Sequence, residues 1–347
     1  MWWVAMLGIL AVLVVLVTTL LCFFGPGHED ASERAAAAPR PAELALQAVY
    51  KHDASFFVQQ PNTVRIFTQY YYPHKAIRPP KAVVLYVHGL FGHSGCMTTM
   101  FEDMLRRGYV VGALDLRGHG RSSGRFGYIQ DFSDSVDDIL AFVKATRAKF
   151  PTRKLFLVGL SMGGLLVMHT LLRARPGLID GSVLHAPPVM LADGVRPPAP
   201  VESIFKFLVQ YVPKLPLVAS PTLRTNSKSV EAQVQHERDA DPLIYQGPVA
   251  LGTACAILQA TLTIQDEYHK IDAPFMLVHG ELDRVCAIEG SERFMDVVRS
   301  EDKVFVRYPR GEHSLLEEPE SFRRPFLNDI AKWIDAHADE TQSVVYI

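Results

Sequence analysis

From residue 64 onward, short apolar runs alternate with amphipathic stretches. Val64–Tyr72 carries β-branched and aromatic residues at strand density. Ala82–Val87, Tyr109–Leu116 and Lys154–Val158 are nearly continuous apolar runs, the pattern of strands buried on both faces of a parallel sheet. Between them, Phe101–Arg107 reads as a helix that stops at Gly108. Phe132–Phe150 sets Val136, Ile139, Leu140 and Val143 at helical spacing, with Pro151 just beyond. Met162–Arg173 predicts a further helix and Ser182–Leu184 a further strand. After an interruption the rhythm resumes with a helix near Thr253–Ile264, a strand Phe275–Val278, a helix near Glu292–Val298, a strand Val304–Tyr308 and a helix Pro325–His337. Such alternation predicts an α/β fold built on a mostly parallel, doubly wound sheet.

Two regions lie outside this rhythm. From Ala186 to about Ala250 there are ten prolines and no strand–helix order, as expected of a cap inserted over the C-terminal edge of the sheet, where such folds bind ligands. Val201–Val212 within it places Ile204, Phe205, Leu208, Tyr211 and Val212 on an apolar face, which could line a tunnel or meet a bilayer surface. At the other end, Trp2–Phe24 contains no charged residue. A helix of that length spans about 34 Å, against about 30 Å of hydrocarbon. It lacks the basic n-region and small-residue cleavage site of a signal peptide. The expectation is a single-pass N-terminal membrane anchor, with Arg34 and Arg40 tipping the remainder towards the cytoplasm. Gly25–Pro41, Ala/Pro-rich and polar, reads as a tether. The expected organisation is anchor 1–25, tether 26–60, core 61–186, cap or lid 187–252, and second part of the core 253–347.

Composition narrows the partners. The 347 residues are 48% hydrophobic, enough for a sizeable core, and the formal net charge is −2. No basic cluster points to nucleic acid. Four scattered cysteines offer neither a disulfide framework nor a C-x-x-C metal site, and no asparagine lies in a glycosylation sequon.

Chemistry concentrates in four loops. In "KLFLVGLSMGGLL" the G-x-S-x-G pattern is Gly159-Leu160-Ser161-Met162-Gly163. The bare pattern is common, but here a buried strand enters it and an apolar helix leaves. So tight a turn strains the serine backbone and requires small residues two positions to either side. A serine nucleophile needs a base, and the base an acid to orient it. In this architecture acid and histidine follow in that order, each after a late strand. Phe275–Val278 leads to "HGELDRVC" and Asp283; Val304–Tyr308 leads to "PRGEHSLLEE" and His313. Glu281 is the rival acid. His279, His269, His185 and His337 are less aptly placed as bases. Cys286, three residues past the acid, falls near the site or serves as a buried thiol.

An oxyanion also needs backbone donors, each contributing about 2.7–4 kcal/mol of transition-state stabilisation. Met162, the residue after the nucleophile, supplies one. The loop "VHGLFGHSGC" after Ala82–Val87 supplies the other, at Leu90. Ser94 in this loop lacks the strand–turn–helix setting of a nucleophile, and no Lys or Thr completes a phosphate cradle.

These motifs together, "VLYVHGLFGHSG", "LDLRGHGRSSG", "LVGLSMGG", "VHGELDRVC" and "GEHSLLEE", resemble those of the monoacylglycerol lipases of the α/β-hydrolase superfamily. The resemblance runs from about Val64 to Trp333 and includes Asp241-Pro242-Leu243-Ile244. It implies the α/β-hydrolase fold, an acyl-ester hydrolase that needs no cofactor or metal, and a hydrophobic cap over an acyl tunnel. It implies Ser161, Asp283 and His313 as catalytic residues and Leu90 and Met162 as the oxyanion hole. By the same resemblance Asp115–Gly120 braces the site. The first loop departs from the family: Gly92 and Cys96 stand where the family has a glutamate and an arginine associated with glycerol, and Phe91 adds bulk.

The expected function is hydrolysis of single-chain lipid esters, monoacylglycerol to fatty acid and glycerol, through an acyl-enzyme. A lysophospholipase or broad carboxylesterase is the alternative within enzymes, and a membrane-tethered binding protein the alternative outside them. Phe91, Gly92, Cys96, Phe205 and Leu208 are the candidate substrate-binding residues. A lipid ester is the expected partner, together with a membrane, met through the N-terminal helix and the cap. Oligomeric state is left open.

Overall fold

The apolar runs become the strands of one twisted sheet. The computed structural model describes residues 2–25, 32–59, 63–75, 79–191, 196–218 and 232–338. Its strands are β1 (Lys51–Gln59), β2 (Val64–Tyr72), β3 (Val83–Val87), β4 (Val110–Leu114), β5 (Leu155–Leu160), β6 (Gly181–His185), β7 (Pro216–Val218), β8 (Val249–Ala250), β9 (Phe275–Gly280) and β10 (Lys303–Tyr308). Eight of them form the main sheet, in the order β1-β2-β4-β3-β5-β6-β9-β10. The pairs from β4 to β10 are parallel, whereas β1 and β2 join antiparallel at one edge. This is the α/β-hydrolase fold.

Both faces of the sheet are covered because β3, β4, β5 and β9 are buried throughout. Val83, Leu85 and Val87 point into one apolar layer with Ile139 and Val143 of the helix Phe132–Lys149 and Leu165 of the helix Met162–Arg173. Val84 and Tyr86 point into the other, with Met100 and Met104 of Thr98–Arg106 and Ile330 and Trp333 of Glu320–Ala338. A fully buried side chain of this size contributes about 1.5–3 kcal/mol. Strand order reverses between β3 and β5, so the loops after these two strands open a crevice at the sheet's C-terminal edge.

Two expectations about the N-terminal part change. The segment expected as a tether over 26–60 contributes the helix Pro41–Val49 and the edge strand β1, both packed on the core; residues 26–31 and 60 lie outside the described residues. The segment Trp2–Phe24 does form a helix. Among the described residues, however, no helix is long and apolar enough to cross a membrane. The membrane anchor, the single-pass topology and the cytoplasmic orientation inferred from it are therefore withdrawn. The helix end is instead tied to the chain by Lys214, whose N–H donates to the Phe24 carbonyl at 3.0 Å.

Between β6 and the helix Leu251–Glu267, the described residues form the helices Ala199–Leu208 and Ala232–Asp239 and the short pair β7–β8.

Candidate active site

Ser161 caps the N-terminus of the helix Met162–Arg173, immediately after β5, with φ 54° and ψ −124°. A non-glycine residue in that region is strained, and such strain concentrates at functional sites. The flanking glycines show what enforces the turn. A Cβ on Gly163 would stand 2.2 Å from the Val87 carbonyl oxygen, and one on Gly159 would stand 2.5 Å from that of Gly163. The Ser161 amide donates to the His185 carbonyl at the end of β6, at 2.8 Å.

Asp283 and His313 arrive from the ends of β9 and β10. The two turns are knit together by the Leu282 N–H to Gly311 carbonyl bond at 2.8 Å and the Glu281 N–H to Tyr308 carbonyl bond at 3.1 Å. His313 Nδ1 lies 2.7 Å from Asp283 Oδ2. The other carboxylate oxygen accepts from the amides of Val285 and Cys286, at 2.7 and 3.0 Å. Burial alone would raise the Asp283 carboxyl, but the charge of His313 and hydrogen bonds from His279 and His313 outweigh it and hold Asp283 well below the usual carboxylate range. It therefore stays ionised and fixes the imidazole with Nε2 turned away. Glu281, the rival acid, is exposed.

His279, less aptly placed as a base, sits behind the acid. Its Nε2 lies 3.0 Å from Asp283 Oδ2 and its Nδ1 2.8 Å from Ser291 Oγ. With the Ser291 hydroxyl donating to Nδ1, Nε2–H donates to the acid. The only sequence signal for this pairing is the four-residue spacing from the strand end to Asp283. Cys286 is buried beside the Ser161 hydroxyl. Ligand-type atoms of Asp283, Cys286 and His313 all lie within 4.8 Å of one another. Burial pushes the thiol's pKa up, reinforced by the Asp283 charge, so it stays protonated.

The loop after β3 braces the site. His88 is buried, and burial lowers it to about 3, so it is neutral. Its Nε2 accepts from the Leu116 amide at 2.9 Å, which leaves Nδ1–H to donate to the Gly89 carbonyl at 2.8 Å. A Cβ on Gly89 would lie 3.4 Å from that of Ser161, so the Leu90 backbone runs beside the serine. Among the described residues neither the Leu90 nor the Met162 amide donates to another group of the chain. Ser94 is buried, accepting from Gln69 Nε2 at 2.9 Å and donating its amide to Asp115 at 2.7 Å. Asp115 also accepts from the Arg121 amide at 2.7 Å. Ser94 and Asp115 are thus framework.

Ser161 and His313 face one cavity of about 270 Å³, walled by Leu90, Phe91, Gly92 and Cys96 on the core side. Val234, Glu237, Arg238 and Ile244 reach it from the irregular block, and Arg40 from the N-terminal segment. No hydrogen bond joins the Ser161 hydroxyl to His313 among the described residues, a bond often loose until substrate binds. Phe205 and Leu208, expected at the substrate, do not line this cavity. The helix that carries them exposes Ile204 and Phe207 and instead buries Glu202, which pairs with Lys206 at 2.8 Å and Arg196 at 3.0 Å.

Fold and site together define a serine hydrolase on an α/β-hydrolase scaffold. The chain belongs to the family described as serine aminopeptidase S33, which it matches over residues 78–320. It is 32% identical over 258 residues to the monoacylglycerol lipase of Mycolicibacterium smegmatis, covering 74% of this chain and 89% of that one. To the monoglyceride lipase of Homo sapiens it is 28% identical over 271 residues, 78% of this chain and 86% of that one. Among solved structures, a soluble variant of monoglyceride lipase from Saccharomyces cerevisiae in complex with a substrate analogue superposes with a TM-score of 0.74. It covers 86% of this chain and 99% of that one, and at 21% identity the likeness is one of fold. The protein is a serine ester hydrolase of the monoacylglycerol-lipase-like group.

Proposed function

We propose that the protein cleaves monoacylglycerols to fatty acid and glycerol through an acyl-enzyme on Ser161. The observation that carries this reading is the strained serine facing the same cavity as a histidine held by a buried, ionised aspartate. His313 Nε2 takes the Ser161 proton as Oγ attacks the ester carbonyl carbon. The amides of Leu90 and Met162 hold the oxyanion. His313 then delivers the proton to the leaving glycerol oxygen as the carbon–oxygen bond breaks, giving acyl-Ser161 and free alcohol. Water, deprotonated by His313, attacks the acyl carbon, and the returning proton restores Ser161 and releases the fatty acid. His279 positions Asp283 from the far side.

The likeness to two monoacylglycerol-cleaving lipases over three quarters of the chain supports the substrate class. Residues 187–252 serve as the cap, with Val234 and Ile244 closing the cavity over the serine. The test is steady-state hydrolysis of a monoacylglycerol, a lysophospholipid and a methyl ester that share one acyl chain. The reading expects kcat/KM highest for the monoacylglycerol, by tenfold or so. A flat profile would make the protein a broad carboxylesterase, and a lysophospholipid preference would make it a lysophospholipase.

A further inference from the structure

The first loop leaves a chemical gap. At the positions where a glutamate and an arginine would meet a polar alcohol, it offers Gly92 and Cys96, both on the cavity wall. The alcohol half of an ester must leave past His313, because that histidine protonates its oxygen. Arg40, Glu237 and Arg238 reach the cavity that His313 faces from outside the loop.

Arg40 is the N-cap of the helix Pro41–Val49, and it lies outside the stretch that matches the family. Its side chain is 13% exposed and lines the cavity. Three contacts fix its guanidinium. Nε stands 3.2 Å from Asp241 Oδ2, an Nη donates to the Gly95 carbonyl at 3.3 Å, and the other Nη stands 3.7 Å from Glu237. Asp241 is itself locked by His93 Nε2 at 2.8 Å and by the Leu243 amide at 2.9 Å. The Arg40 amide donates to the buried Glu43 carboxylate at 2.9 Å. Gly95 permits this approach: a Cβ there would stand 2.4 Å from the Glu43 carboxyl carbon. The guanidinium is therefore held against the Gly95 carbonyl, on the same cavity that Cys96 lines. Its fork carries more N–H donors than these contacts consume.

We propose that Arg40 is a specificity-determining residue for the leaving alcohol, binding its free hydroxyls from the N-terminal segment in place of a loop side chain. This rests on the monoacylglycerol reading above. The ligand chemistry follows from the local charges. The Arg40 guanidinium lies between two carboxylates, Asp241 at 3.2 Å and Glu237 at 3.7 Å, so its own charge is matched locally and it has none to spare for a phosphate. A donor fork beside a carboxylate acceptor suits neighbouring neutral hydroxyls, such as those of a glycerol monoester.

The test compares wild type, Arg40→Met and Arg40→Lys on a 1-monoacylglycerol and on the methyl ester of the same fatty acid, which lacks the diol. The wild-type ratio of kcat/KM tests the function. The change in that ratio tests Arg40. Arg40→Met should lower the ratio about tenfold, the size of one charged hydrogen bond, mainly through KM for the glycerol ester. Arg40→Lys should recover part of it. The rate of Ser161 labelling by a small fluorophosphonate, which carries no diol, reports whether each variant is folded. An unchanged ratio, or an equal fall on both esters, would show that Arg40 only braces the loop and overturn the proposal. A flat wild-type ratio would instead remove the reading on which it rests.

Discussion

The cavity has two walls with different origins. The inner wall is built by turns that follow parallel strands of one sheet: the His88–Cys96 loop after β3, Ser161 after β5, Asp283 after β9 and His313 after β10. β3, β5 and β9 are buried along their length, and the partly exposed edge strand β10 is paired with β9, so each group's position is set locally and reinforced by the sheet. The outer wall gathers Arg40, Glu237, Arg238 and Ile244 from segments far apart in the chain. These are held by side-chain pairs such as Arg40 with Asp241 and Arg238 with Glu317 at 2.7 Å. On the proposed reading, the inner wall carries the reaction and the outer wall selects the alcohol that leaves.

The largest expected effect separates the walls by chemistry. Asp283→Asn should lower kcat by about 10⁴-fold, because the wrong His313 tautomer is then favoured. Glu281→Gln, at the exposed rival acid, should stay within about twofold, as measured by steady-state ester hydrolysis. A comparable loss at Glu281 would move the acid to the other carboxylate.

Acid should damage the inner wall first. Burial lowers His88, His119 and His185 to about 3, below the usual value near 6.5. They are neutral in the fold, while the unfolded chain protonates them below about pH 6.5, so the unfolded state binds more protons. Stability is thus complete above about pH 6.5 and declines as pH falls towards 3, by about 2 kcal/mol per histidine at pH 5. The ionised Asp283 adds no loss between pH 7 and pH 5, since its contribution persists until pH falls below the unfolded carboxylate range near 4. Thermal unfolding at pH 7 and pH 5 should show Tm lower by about 10 °C at pH 5. An unchanged Tm would mean that these histidines are hydrated.

The smallest effect concerns the helix Ala199–Leu208. Phe205→Ala and Leu208→Ala should change kcat/KM for a monoacylglycerol by no more than about twofold, since neither side chain lines the cavity. A tenfold loss would bring that helix into the substrate path.

The same division explains what was legible in the sequence. The main-sheet strands β2 to β6, β9 and β10, the serine turn and the order of acid and histidine could be read, because each is written in a short contiguous motif with its own periodicity; the short pair β7–β8 could not. β1 could not: Lys51–Gln59 mixes His52, Asp53 and Ser55 into an edge strand, and pairing with β2, from Lys51 opposite Tyr72, decides its structure. Arg40 looked like part of a tether because its contacts lie 55 residues away at Gly95 and 201 away at Asp241. His279 was hidden by its place one turn before the acid. The apolar face expected over Val201–Val212 does not settle how that segment packs: its helix ends at Leu208, leaves Ile204 exposed and buries Glu202 through its ion pairs. The apolar run at the N-terminus was legible as a helix and misread as a membrane span.

The central claim is that Ser161 carries the acyl group between two half-reactions. The most direct measurement is rapid acid quench during turnover of an activated ester, followed by digestion and mass spectrometry of the peptide that contains Ser161. The account predicts a mass increase equal to the acyl group, located on Ser161 and absent in Ser161→Ala. An acyl adduct on Cys286 or Ser94 instead, or full turnover by Ser161→Ala, would contradict it.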